Sequence, residues 1–162
     1  MPVHVWSLDK YDTLQAASGE ISGQLIFPKD NDSFVTLQEL MPTILDIAGA
    51  EPPKPVDGES ILPLMMGEQE SNGRKEVFCE YHNHFYTHRQ RMVRDRDYQL
   101  TFNESERGEL YDLKKDPYQL KNVCYDPAYA DVKKKYLDIM SGYMKDLGDP
   151  ASTWFHRIKE FY

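Results

Sequence analysis

The chain holds only two cysteines among its 162 residues, Cys79 and Cys124, and neither belongs to a C-x-x-C pair. Zinc-ribbon and thioredoxin-like chemistry therefore lack their ligands. Both are expected to be inert thiols, with Cys79 inside a buried strand; a disulfide between them stays open on sequence alone. No apolar run approaches the ~20 residues that a membrane-spanning helix needs. The opening "MPVHVWSLDK" has no basic stretch followed by an apolar one, so a secretory signal is not expected there. A basic excess is also missing. Lys and Arg number 19 against 27 Asp and Glu, a net charge of −8. A phosphate backbone wants a basic face, which argues against a nucleic-acid partner. Sulfated glycans would be repelled by the same charge. There are no internal repeats.

What remains is the composition of one modest globular domain, 40% hydrophobic and 28% charged, which is too apolar for a disordered chain. Residues 1–33 are poorly assigned. "VHVWSL" and "GQLIF" have the makings of short strands, separated by the polar "DTLQAASGEIS". The first strong element is "FVTLQELMPTILDIAGA". Its apolar residues Leu37, Leu40, Met41, Ile44, Leu45 and Ala48 recur at the spacing of one helical face. Thr36 and Glu39 fit a capping box, whereas Pro42 moves the expected helix start toward Met41, because proline is tolerated only in the first turn. Gly49 supplies the stop. The proline-rich "AEPPKPVDGES" reads as an extended linker, "ILPLMMG" as a short apolar patch packing back, and "EQESNGRK" as a solvated loop.

Four strands follow: "EVFCEYH", "RQRMVRD", "YQLTFNE" and "ELYDL", with a tight turn around Arg96 and another at "SERG". Consecutive strands with short connections predict an antiparallel meander. In the first strand Val77, Cys79 and Tyr81 share one face, and Phe78, Glu80 and His82 the other. "DPAYADVKKKYLDIMSGYMKDLGDP" places Val132, Tyr136, Ile139, Met140, Tyr143, Met144 and Leu147 on one helical stripe, ended by Gly148 and Pro150. The tail 151–162 is aromatic and is expected to pack along the surface. The expected fold class is α+β: a small antiparallel four-stranded sheet packed against a C-terminal helix, with one further helix upstream.

Six stretches, in this order, carry a resemblance: "VTLQELMPTILDIAGAEPP", "VDGESILPLMMGE", "EVFCEYHNHF", "QRMVRDRDYQLTFN", "ELYDLKKDPYQLKNV" and "DPAYADVKKKYLDIMSGYMKDLGDP". Together they resemble the C-terminal subdomain of a type I sulfatase of the alkaline-phosphatase-like superfamily, over roughly residues 34–150. The resemblance implies that the D-P-x-x-x-x-N loop is structural. Asp116 is forced extended by the following proline, and Asn122 bonds local backbone. The complete family enzyme would use calcium and a formylglycine made from the Cys or Ser of C/S-x-P-x-R. No such sequence occurs here, and the aspartate segments that hold the cation are absent, so no catalytic or metal-binding residue and no cofactor are expected in this chain. Glu39 stands where the family usually has aspartate and Gln99 where it has lysine, and "GQLIFPKDN" only faintly echoes the strand expected before the helix.

The resemblance further implies that the region of His82, His84 and Arg91 lies at the subdomain's edge, facing the active-site mouth of the large domain. Imidazolium and guanidinium suit contact with a sulfate or carboxylate there. Read cold, His82, His84 and His88 also suggest a metal-binding module, and Arg91 and Arg94 suggest sheet residues paired with acids such as Glu80 or Asp97. The leading expectation is a sulfatase fragment that completes the substrate pocket of a missing catalytic domain, in cis or as a separate chain, and is itself inactive. The alternative is a stand-alone interaction module without catalysis. Self-association is a further expectation for the chain alone.

Overall fold

The computed structural model describes residues 15–16, 19–20, 32–82, 89–104, 106–159 and 162. They fall into two compact units, within residues 1–74 and within residues 75–162. The predicted strands "VHVWSL" and "GQLIF" lie outside the described residues. Between them in sequence, two two-residue strands, β1 (Gln15–Ala16) and β2 (Gly19–Glu20), pair antiparallel.

In the first unit a 3₁₀ turn at Leu37–Glu39 runs directly into α1 (Leu40–Ile47). The turn satisfies both sequence signals at once. Thr36 and Glu39 form the capping box, while Pro42 is the third residue of α1, where a backbone N–H has no helical partner to lose. Gly49, at φ 66, ends the helix in a conformation that costs other residues energy. A short α2 (Leu62–Met65) buries Leu64. The linker between the two helices passes so near the 3₁₀ turn before α1 that a Cβ on Gly58 would lie 2.0 Å from the Gln38 carbonyl oxygen. Only glycine fits that crossing.

The apolar face expected of α1 does not form the inside of this unit. Leu37 is 84% exposed, Ile44 63% and Leu40 52%, whereas Glu39, Pro42 and Thr43 are buried. The inward face is polar and fully engaged. Thr43 donates to the Glu39 carbonyl and accepts from the Ile61 N–H at 3.0 Å. The loop at 68–75, expected to be merely solvated, supplies two anchors. Asn72 donates to the Phe34 carbonyl at 2.7 Å, and the Arg74 guanidinium binds the buried Glu39 carboxylate.

The second unit holds the predicted meander. β3 (Val77–His82), β4 (Arg89–Arg94), β5 (Tyr98–Asn103) and β6 (Glu109–Asp112) form one antiparallel sheet in sequence order. Asp95 closes the β4–β5 turn, its Oδ1 accepting the N–H groups of Asp97 and Tyr98, both at 2.8 Å. α3 (Ala130–Asp146) and α4 (Ser152–Ile158) cover one face. Register puts Phe78, Glu80 and His82 opposite Val93, Arg91 and Arg89, so the covered face runs from Leu110 and Leu100 through Val93 to Arg91. Cys79 therefore belongs to the other face and is exposed, not buried; Cys124 is the buried thiol, and both are free.

α3 buries Tyr136, Leu137, Met140 and Met144. Leu147 is 63% exposed, because it caps the helix just before Gly148 (φ 66) turns the chain away. The aromatic tail does not lie along the surface. α4 drives Phe155 into the core, 4.8 Å from the Phe102 ring, and Tyr162 packs on the same ring at 4.7 Å. The second unit thus has a core of its own.

The stretch after β6 works as expected of a structural loop. Asp116 accepts the Lys121 N–H at 2.7 Å. Asn122 lies along β6, accepting from the Leu110 N–H at 3.0 Å and donating to the Gly108 carbonyl at 2.9 Å, while the Val123 N–H bonds Leu110 O at 2.8 Å. One amide side chain thereby mimics a strand partner.

Candidate functional site

The residues singled out by sequence gather at the β3–β4 end of the sheet. Antiparallel pairing sets Glu80 directly across from Arg91 and His82 across from Arg89, close enough for opposite charges to interact. The carboxylate of Glu80 stands between two bases, its Oε2 3.6 Å from His82 Nε2 and its Oε1 4.0 Å from Arg91 Nε. Arg89 lies 3.9 Å from Glu104. His84, in the β3–β4 connection, lies outside the described residues, as does His88.

Arg91 is not an open ligand in this structure. Its Nε donates to Asp149 Oδ2 at 2.8 Å and its Nη2 to Oδ1 at 3.1 Å, with only 3% and 1% of the two side chains exposed. This bidentate fork is the strong form of the guanidinium–carboxylate pair. Asp149 also accepts the Ala151 N–H at 2.8 Å, so it joins β4 to the start of α4. Burial alone would raise the Asp149 pKa, but the Arg91 hydrogen bonds, the Ala151 N–H and the Arg91 charge hold it below the usual carboxylate range. Arg94 bonds Gln99 Oε1 at 2.9 Å rather than an acid.

The cluster is graded. At its base is a dry ion pair; above it Glu80 is one-third exposed, and at the rim His82 and Arg89 are about half exposed, at 54% and 49%. Such an arrangement can present an imidazole and a guanidinium to an external anion while a buried pair keeps the strand ends fixed. Among its described residues, Glu80, His82, Arg89, Arg91 and Asp149, there is no hydroxyl or thiol nucleophile. The described residues also do not fit calcium, because no three of their His, Cys, Asp and Glu side chains gather into a donor set. Glu39 and Asp149 spend their oxygens on Arg74 and Arg91.

Asp149 was missed as the partner of Arg91, since nothing periodic links residues 58 positions apart. The only signal was an acid just after a helix-ending glycine. A groove of about 330 Å³ beside α3, bordered by Lys133, Lys134, Asp138 and Lys159, was likewise not foreseen. Lys133 there donates to the Tyr162 carbonyl at 2.9 Å and Lys159 to Asp138 at 2.6 Å.

A four-stranded meander with its last helices on one face and a capped helix upstream defines the C-terminal subdomain class of the alkaline-phosphatase-like sulfatases. The family described as N-sulphoglucosamine sulphohydrolase, C-terminal, matches residues 22–145, and the chain belongs to it. An uncharacterized protein of Haemophilus influenzae is 40% identical over 129 residues, covering 80% of this chain and 66% of that protein. A Delta 4,5-hexuronate-2-O-sulfatase of Bacteroides thetaiotaomicron is 34% identical over 109 residues, covering 65% of this chain but 23% of the enzyme. A crystal structure of a putative sulfatase from Bacteroides thetaiotaomicron superposes with a TM-score of 0.63 at 32% identity, over 71% of this chain and 25% of that one. The chain therefore spans about a quarter of the length of these two sulfatases.

Proposed function

We propose that this chain is the pocket-completing C-terminal piece of a sulfuric ester hydrolase and does not turn over sulfate esters by itself. The observation that carries the reading is the graded β3–β4 cluster, in which a buried Arg91–Asp149 pair fixes an exposed rim of His82 and Arg89. The absence of C/S-x-P-x-R from the sequence supports the second half. In this reading His82, and His84 from the adjoining connection, donate hydrogen bonds to a sulfate or carboxylate of the substrate. Arg91 serves the site chiefly through its hold on the strand ends. The partner is a sulfatase catalytic domain, in cis or as a separate chain.

The test has two arms. An arylsulfate assay on the chain alone should read blank, and clear turnover would overturn the reading. The chain grafted in place of the corresponding C-terminal part of the Bacteroides hexuronate sulfatase should support turnover, and His82→Ala in that chimera should raise KM more than it lowers kcat. An unchanged KM would remove His82 from the site.

A second reading, a stand-alone interaction module, is favoured by one observation: the second unit closes a core of its own around Phe155, Met140 and Leu100. Full thermal stability and a monodisperse species without any catalytic domain would favour it.

A further inference from the structure

We infer that Tyr162 is a positioning residue for the rim: through Asn103 and Glu104 it holds Arg89 where an anionic group of the substrate would meet it. The inference rests on the functional reading above and adds the element that keeps the rim in place.

His82 and Arg89 lie at the same end of the sheet as the connection between β5 and β6. There the two strands stop unevenly. Glu109 opens β6 opposite Thr101, whereas β5 runs on to Asn103. Glu104 turns its N–H toward β4, onto the Arg89 carbonyl at 3.1 Å, so the N–H of Asn103 faces the side that β6 has left. A backbone donor in that place needs a partner from elsewhere. Tyr162 supplies it, its hydroxyl accepting the Asn103 N–H at 3.0 Å.

The tyrosine is itself fixed from three directions. Its ring packs 4.7 Å from that of Phe102, which pairs in register with Arg91. Lys133 donates to its carbonyl at 2.9 Å. The ring also takes the place of a side chain at Gly108, where an added Cβ would collide with it. A glycine at 108 is therefore part of the same device.

From Asn103 the tie reaches the rim by two routes. The Asn103 Oδ1 accepts from Gln90 at 2.7 Å, and its Nδ2 donates to the Arg107 carbonyl at 2.8 Å, which closes the β5–β6 connection. Glu104, the next residue, holds Arg89 by the backbone bond and by its carboxylate, 3.9 Å from the guanidinium Nε. Arg89 is about half exposed, so burial does not set its direction. Glu104 does, and Glu104 stands just past a strand end of the kind that frays unless it is tied down.

Tyr162→Phe is the test, because it removes the hydroxyl and keeps a ring against Phe102. In the full chain, amide hydrogen exchange followed by NMR should speed at Asn103 and Glu104 by about fivefold, the factor that matches ~1 kcal/mol of hydrogen bond, and stay unchanged at Leu100. In the chimera with the Bacteroides hexuronate sulfatase, Tyr162→Phe should raise KM by about two- to fivefold and lower kcat less. In an Arg89→Ala background it should change KM no further, since a residue that acts through Arg89 has nothing left to position. Faster exchange at Asn103 with Glu104 still protected would overturn the inference and reduce Tyr162 to a local cap. Exchange that speeds equally at Leu100 would overturn it as well, by showing a general loss of stability. So would KM effects of the two variants that multiply, the mark of independent sites. If His82→Ala and Arg89→Ala both leave KM unchanged while Glu104 exchange still follows Tyr162→Phe, the pocket-completing reading falls and the tie to the rim stands.

Discussion

The two units solve the problem of being folded in opposite ways. The one within residues 75–162 turns its apolar residues inward, and α3 and α4 cover the sheet with Met140, Met144 and Phe155 fully buried. The one within residues 1–74 turns its apolar helix outward and holds itself together with a capping box, a buried carboxylate–guanidinium pair and asparagine and threonine bonds. Hydrophobic burial scales with area and can carry a unit alone. Polar ties define geometry but contribute little net stability each. The first arrangement suits an autonomous body, the second a surface held ready.

The sharpest way to break the contrast is to remove Phe155. Phe155→Ala should cost about 3–5 kcal/mol, measured by urea denaturation, because a ring wholly out of water leaves a cavity. Asp149→Ala should come close behind, at about 3–5 kcal/mol, since it strands the Arg91 charge in the interior. Asn122→Ala should cost about 1–3 kcal/mol by removing the acceptor of the Leu110 N–H. Ile44→Ser should change stability by less than about 0.5 kcal/mol in the chain alone, as expected of a side chain already in water. A loss comparable to that of Phe155→Ala would erase the distinction between the units.

Acid offers a further comparison. Burial would raise the Glu39 pKa, yet hydrogen bonds from Thr36 and the Arg74 charge leave it below its ordinary 4.5, and Asp149 likewise sits below 3.8. For both groups the unfolded chain binds the proton more readily. Their stabilisation is therefore present above those ordinary values and is lost as pH falls through the lower folded ones. Glu39→Gln should flatten the acid limb of unfolding monitored in the first unit, and Asp149→Asn that of the second. A swap of these effects would mean the pairs are assigned to the wrong units.

Much of this was legible in the sequence where the signal is local. The period-2 alternation of Val77–His82, the tight turn at Arg96, the Thr36–Glu39 box and the glycines at 49 and 148 all act within a few residues of themselves, and each stands where the pattern put it. What could not be read depends on what meets what. Periodicity marked a stripe on α1 but not which way it faces, because burial is decided by tertiary partners. Cys79 was placed on the wrong side of the sheet for the same reason: alternation separates two faces without saying which is covered. The tail hid α4 because a seven-residue helix with one buried aromatic leaves too short a pattern. In the candidate site, the strand positions of His82 and Arg91 were visible, whereas the acid that seals Arg91 away lay beyond any local window.

The Asn122 side chain along β6 reaches past local hydrogen bonding. Bare sheet margins invite neighbouring molecules to add on, and unlimited growth requires two of them per molecule. Here the β6 margin is already occupied from within by Asn122 and Val123. Joining of a further strand on the β6 side is therefore closed off by a loop, without a helix or an additional strand to cover it.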